Sequence, residues 1–253
     1  MRKLSQGLFA AAAAVALSIT AVTANAAGGG ADLPPSNIDP GNVNSLQRGA
    51  RNFMNYCSGC HSAQYVRYST IGEDLQLSEE LLLENLMFNA EKTHETINVA
   101  MRSDDAEVWF GVAPPDLSLT ARSKGADYIY NFLLSYYVDE SRATGVDNTV
   151  YAGTAMPHVL GGLQGYQRAV FDTHENEDGD TVTEFSEFEL VTVGTHSPEE
   201  FEEFVRDTTN FLAYIAEPMR SERRTLGVWV IIFLSFFLIL AHMLKKQIWK
   251  DVK

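Results

Sequence analysis

Two thiols and an imidazole stand together in the pentapeptide Cys57-Ser58-Gly59-Cys60-His61, and the remaining sequence has no other cysteine. At C-x-x-C-H spacing each thiol can add to one haem vinyl group to form a thioether. The adjacent histidine then lies under the iron as its proximal nitrogen ligand. Ser58 and Gly59 are small, as a tight turn beneath a flat macrocycle requires. Other chemistries fit less well. A thioredoxin-like pair belongs in a βαβ unit, whereas this motif closes an amphipathic helix. A tetrahedral zinc site needs about four ligands, and a disulfide across this spacing would be strained.

A haem iron takes a further axial ligand, Met or His, or leaves that position open. Met1 falls in the N-terminal leader, Met54 on the attachment helix, and Met219 and Met243 beside or within a long apolar run, which leaves Met87, Met101 and Met156. Met87 sits among helical apolar residues, where core packing is expected. Met156 lies in the loop from Tyr151 to His158, and Pro157 stiffens it. Such a loop can bring a thioether to a ring face. Met156 is therefore the first candidate, with His158 and then His94 as alternatives. His174 and His196 have acidic or polar neighbours and are expected to be solvated. The acidic run from His174 places Gly179 where a calcium loop has its glycine, but Phe185 occupies the position of the closing Glu, which excludes an EF-hand. No Ser/His/Asp order, phosphate loop or dinucleotide fingerprint occurs.

Helices and loops must place these groups. Leu46, Ala50, Phe53, Met54 and Cys57 share a helical face, with Ser45 as the expected N-cap. The pattern predicts a second helix over Ser78 to Ala90, capped by Ser78. A third spans Asp127 to Val138, with Tyr128, Phe132 and Tyr136 on one stripe. Residues 143–165 are glycine-rich and read as an ordered loop. Residues 172–189 carry eight acids and suggest a short hairpin. Ser197-Pro198-Glu199-Glu200 opens a further helix, with Ser at the N-cap, Pro at N1 and Glu at N3. Its expected buried face is Phe201, Phe204, Val205, Leu212 and Ile215.

The chain ends divide the molecule further. Met1-Arg2-Lys3, an Ala-rich apolar stretch and Ala24-Asn25-Ala26 predict a signal peptide over 1–26 and hence export. Leu226 to Leu244 runs 19 residues without a formal charge, about 28 Å as a helix and close to the thickness of a bilayer core. It is expected to span a membrane, within an anchor over 220–253 that ends in a short basic cytoplasmic tail. Residues 27–219 then form one exported domain. That domain holds 10 basic and 31 acidic residues, so the net charge of −14 for the whole chain becomes −21. A balance this acidic excludes a general nucleic-acid binder.

The chain resembles the cytochrome c1 family. The likeness rests on Cys57 to His61, on Trp109-Phe110-Gly111-Val112-Ala113-Pro114-Pro115-Asp116-Leu117-Ser118, on Ala121 to Tyr128, on Ala155-Met156-Pro157, and on the single C-terminal helix followed by lysines. The resemblance implies a mainly α, class I cytochrome c-like haem domain with insertions, plus one transmembrane helix. It implies one haem c attached through Cys57 and Cys60, with His61 and Met156 as axial ligands. Arg122 would meet a propionate, and Pro115 and Tyr128 would line the pocket. Some family members close the Met loop with a disulfide; without one, the loop here is expected to rely on packing alone. The implied role is electron transfer within a ubiquinol–cytochrome c reductase of a bacterial inner membrane, with the haem domain in the periplasm. Its partners would be cytochrome b, a Rieske iron–sulfur protein as donor and a c-type cytochrome as acceptor. The chain itself would be an electron carrier. A generic anchored monohaem cytochrome and a membrane-tethered thiol–disulfide protein are the alternatives.

Overall fold

The computed structural model describes residues 33–175 and 181–251. The expected signal peptide, residues 176–180 of the acidic run, and Lys253 of the tail lie outside the described residues. In chain order the elements are α1 (Val43–Tyr56), β1 (Ala63–Arg67), α2 (Tyr68–Asp74), α3 (Glu79–Asn85), β2 (Thr96–Ile97), α4 (Ser103–Phe110), α5 (Thr120–Lys124) and α6 (Ala126–Leu134). They continue as β3 (Tyr136–Val138), β4 (Val146–Asn148), α7 (Gly161–Gln164), β5 (Gly165–Glu175), β6 (Thr181–Val193), α8 (Pro198–Ala216) and α9 (Arg220–Ile248). About half of the described residues are helical, and the strands form antiparallel pairs β1–β2, β3–β4 and β5–β6.

The core forms where α1 crosses α8. Leu46, Ala50, Phe53 and Met54 bury the expected face of α1, and the Phe53 and Phe211 rings meet at 5.7 Å. The crossing is close because Gly49 has no side chain: a Cβ there would overlap the Asp207 carbonyl and stand 2.7 Å from the Phe211 Cβ. Asn42, and not Ser45, caps α1, its side chain accepting from the Ser45 N–H at 3.2 Å. The Ser45 hydroxyl instead donates to buried Asp207 at 2.6 Å, and Arg48 donates to the same carboxylate. The cap moves because a buried charge must be matched by donors.

The α8 N-terminus has the expected capping box, with Ser197 at the N-cap and Glu200 at N3. Phe201, Val205, Leu212 and Ile215 are buried as expected, while Phe204 is only partly so. The apolar stripe understates this helix, since every residue from Asp207 to Ala216 is buried. Two helices are shorter than their periodicity implies. α3 ends at Asn85, where the Met87 N–H turns back to the Leu82 carbonyl. α6 ends at Leu134, because Tyr136, Tyr137 and Val138 pair as a strand with Asn148, Asp147 and Val146. Aromatic and β-branched residues suit that ribbon.

The glycine-rich stretch contributes β4 and α7 to regular structure. The hairpin is longer than expected, running from the Gly165–Val193 pair to the Glu175–Thr181 pair with two register shifts. At its base Gly165 has φ +87°, and a Cβ there would strike the Thr192 carbonyl, so glycine is required. α9 is exposed over most of its described length; Glu222–Ile248 is long and apolar enough to cross a membrane, and none of its most apolar stretch is buried inside the protein.

Candidate cofactor site

The attachment motif is the C-terminal turn of α1 folded back on itself. The Cys57 and Ser58 N–H groups both reach the Phe53 carbonyl, at 2.9 and 3.0 Å, and the Ser58 hydroxyl caps the Met54 carbonyl at 2.7 Å. The Cys60 and His61 N–H groups then bond the Cys57 carbonyl at 3.0 and 2.9 Å. Both cysteines are free thiols on one tight turn. Packing pushes the Cys57 thiol up to about 12, and neighbouring Cys60 adds to the effect.

His61 is held from across the chain. Its ring is 8% exposed, and Nδ1 lies 2.8 Å from the Pro115 carbonyl, to which it donates. Burial lowers its pKa, and the Pro115 carbonyl and Asp116 only partly offset that. With Nδ1–H given to that carbonyl, the neutral form of the ring carries its lone pair on Nε2.

The Pro115-to-Ser118 string is the latch that makes this possible. Asp116 accepts the Ser62 hydroxyl at 2.7 Å, the Gln64 N–H at 2.8 Å and the Ser118 N–H at 2.9 Å. The Leu117 N–H bonds the Ser62 carbonyl at 2.8 Å, and the Ser118 hydroxyl accepts the Tyr65 N–H at 3.1 Å. Burial alone would raise the Asp116 carboxyl, but these donors outweigh it and hold the group below the usual carboxylate range. Sequence reasoning singled out Pro115 and missed Ser62, Asp116 and Ser118. The available signal was Asp-x-Ser, the spacing at which an Asp side chain bonds the backbone two residues on.

Met156 sits in the loop between β4 and α7, partly buried against the main apolar cluster. Polar bonds hold it as well as packing, contrary to the expectation. The Tyr136 hydroxyl donates to the Met156 carbonyl at 3.3 Å, and the Met156 N–H donates to Thr154 Oγ1 at 3.3 Å. Asn148 accepts the N–H groups of Val150 and Tyr151 at 2.9 and 3.1 Å and donates to the Phe132 carbonyl at 2.7 Å. His158, the alternative donor in this loop, is engaged in ring packing. It stacks on Tyr136 at 4.8 Å and meets Tyr166 edge-on at 5.9 Å, and burial drives its pKa down to about 4. His94 is exposed, and Met87 is a core residue.

Tyr128 stacks on Phe132 at 6.1 Å. Cys57, Leu117, Tyr128, Phe132 and Met156 are half-buried residues packed against the main apolar cluster. Arg122 stands apart, with its side chain 64% exposed and Nε 3.9 Å from Glu217 at the end of α8. Two thiols on one turn, a neutral imidazole with Nε2 available and a thioether at the edge of one apolar cluster suit a covalently held iron porphyrin. Among the described residues no group of three or more His, Cys, Asp or Glu side chains could hold a bare metal ion.

Comparison with known proteins agrees with this chemistry. The model of the Cytochrome C1 family matches residues 39–252. A cytochrome c1 of Allochromatium vinosum is 46% identical over the whole of both chains. A protein of Nitrosomonas europaea named ammonia monooxygenase gamma subunit is 38% identical, covering 94% of this chain and 96% of its own. The mitochondrial cytochrome c1 haem protein of Saccharomyces cerevisiae is 28% identical over 83% of this chain and 67% of its own.

Proposed function

The chain belongs to the cytochrome c1 family, and on that premise we propose that it is the electron-transferring haem subunit of a ubiquinol–cytochrome c reductase. Cys57 and Cys60 would carry one haem c as thioethers, His61 Nε2 and the Met156 thioether would be its axial ligands, and Tyr128 and Pro115 would line its pocket. Bound there, the haem supplies a one-electron ferric–ferrous couple, and Met/His ligation raises its potential. The chain's own contribution is positional. The Pro115 carbonyl fixes the His61 tautomer, Asp116 ties that carbonyl's segment to the attachment turn, and the apolar cluster excludes water. Arg122, exposed and flexible, would turn from Glu217 to a propionate.

The observation that carries this reading is the latch between the attachment turn and the Pro115-to-Ser118 string, because it prepares one imidazole nitrogen for a metal beside two thiols. The domain would be a class I cytochrome c arrangement enlarged by insertions such as the β5–β6 hairpin. Residues 1–26 would be a signal peptide, 27–219 the periplasmic domain and 220–253 the anchor of a bacterial inner membrane, with a cytoplasmic C-terminus. The chain would accept one electron from a Rieske iron–sulfur protein and hand it to a c-type cytochrome, beside cytochrome b. A relative named cytochrome b/c1 in Bradyrhizobium diazoefficiens supports the last pairing. The charge of −21 would speed encounter with a basic acceptor at low salt.

A pyridine haemochrome spectrum of the purified polypeptide tests the cofactor: covalent haem is expected, and its absence would return the chain to thiol–disulfide chemistry. The relative named as a monooxygenase subunit motivates a second reading, a haem subunit of that kind of enzyme. Co-purification with cytochrome b and an iron–sulfur protein supports the first reading, and recovery with neither removes it.

A further inference from the structure

We propose that Asp147 is the positioning residue of the Met156 loop, fastening it with hydrogen bonds and an ion pair. This rests on the reading of Met156 as an axial ligand. The Asp147 side chain is only 9% exposed, and each of its oxygens is used. Oδ1 accepts the N–H groups of Asn148 at 2.8 Å and Gly153 at 2.7 Å, while Oδ2 faces Arg142 Nε at 3.5 Å. One carboxylate therefore joins three points of chain: the turn after β3, the strand β4 and the loop before Met156.

The loop is built to receive this contact. Gly153 has φ +80°, a conformation that favours glycine, and a Cβ there would stand 3.0 Å from Arg142 Nη2. Thr154 follows, buried, and its hydroxyl receives the Met156 N–H. From Arg142 through Asp147 and Gly153 to Met156 each link is a hydrogen bond, an ion pair or an adjacent residue. A buried carboxylate bonded by two backbone N–H groups and paired with a cation is a strong, directional fastening. Its effect on Met156 runs through Gly153, Thr154 and the Met156 N–H.

The test uses full-length haem-loaded protein in detergent, comparing the parent with Asp147→Ala, Asp147→Asn and Met156→Leu. Three readouts are taken: amide hydrogen exchange at Gly153, the near-infrared methionine-to-iron charge-transfer band of the oxidised protein, and the midpoint potential. In Asp147→Ala, exchange at Gly153 should rise by about ten- to a hundredfold, the loss expected for a charge-assisted bond. The band should weaken and the potential fall towards that of Met156→Leu. Asp147→Asn keeps one oxygen for Gly153 and should fall between. Should Asp147→Ala not accumulate, Asp147→Asn and Arg142→Gln make the same comparison. Unchanged exchange in every variant overturns the clamp. Raised exchange with the parental band and potential overturns its effect on Met156. A parent that lacks the band removes Met156 as ligand, and the positioning role with it, whatever the exchange shows.

Discussion

Replacing Gly49 by alanine sets two opposite effects against each other. In an exposed helix interior the change would stabilise the fold by about 1 kcal/mol through helix propensity. At the α1–α8 crossing the new Cβ would overlap the Asp207 carbonyl and come to 2.7 Å from the Phe211 Cβ, where carbon atoms normally rest about 3.5–4.0 Å apart. Relief requires the helices to separate by roughly 1 Å, at an overpacking cost of about 1–3 kcal/mol. Separation also stretches the Ser45–Asp207 bond of 2.6 Å and the Asn52–Thr208 bond of 3.2 Å, each worth about 1 kcal/mol. Set against the propensity gain, the net loss is about 2–4 kcal/mol. Guanidinium unfolding of the full-length protein in detergent, followed by circular dichroism, should show a clearly lower midpoint. Gly162→Ala, where a Cβ meets nothing within 4 Å, should stay within about 0.5 kcal/mol of the parent. A Gly49→Ala protein as stable as the parent, or more so, would refute the argument.

Other changes should separate the parts of the site. Met156→Leu should keep the haem attached and lower the reduction potential, measured by redox titration; an unchanged potential would place the axial ligand elsewhere. Asp116→Asn should destabilise the protein at neutral pH by about 1–2 kcal/mol, because the carboxylate is partly solvated and one oxygen acceptor survives. The native Asp116 pKa lies below its ordinary value, so its contribution is present above about pH 4 and disappears as the pH falls through the native value. Parent and Asp116→Asn stabilities should therefore converge in acid, and a gap that widens there would contradict the latch. Removing everything after Met219 should move the haem domain from the membrane fraction to the soluble fraction.

Elements marked by local chemistry were legible in the sequence. The Ser197 box starts α8, the α1 stripe faces the core, and the C-x-x-C-H pentapeptide forms one tight turn at the end of α1. Partnerships between distant segments were not. Ser45 looked like a cap because nothing local shows that Asp207 needs a donor. Tyr136 continued a helical stripe, but pairing with β4 outweighed that weak preference. The same limit hid Asp116, whose role depends on Ser62 and Gln64 more than 50 positions earlier. Arg122 stood out in the sequence only through family likeness, and its contact with Glu217 carries no local mark.

The α1–α8 pairing also bears on the order of events during folding. It joins the first and last helices of the domain across about 140 residues of intervening chain, a closure whose entropy cost and sequence separation make it late. Until α8 docks, Phe53 lacks the Phe211 ring it meets in the finished fold, and the Asp207 carboxylate lacks its donors on α1. The backbone bonds of the Cys57-to-His61 turn, by contrast, all fall between residues 53 and 61. That turn can therefore take its shape on α1 before the core closes over the helix, while the Pro115 hold on His61 waits for later chain.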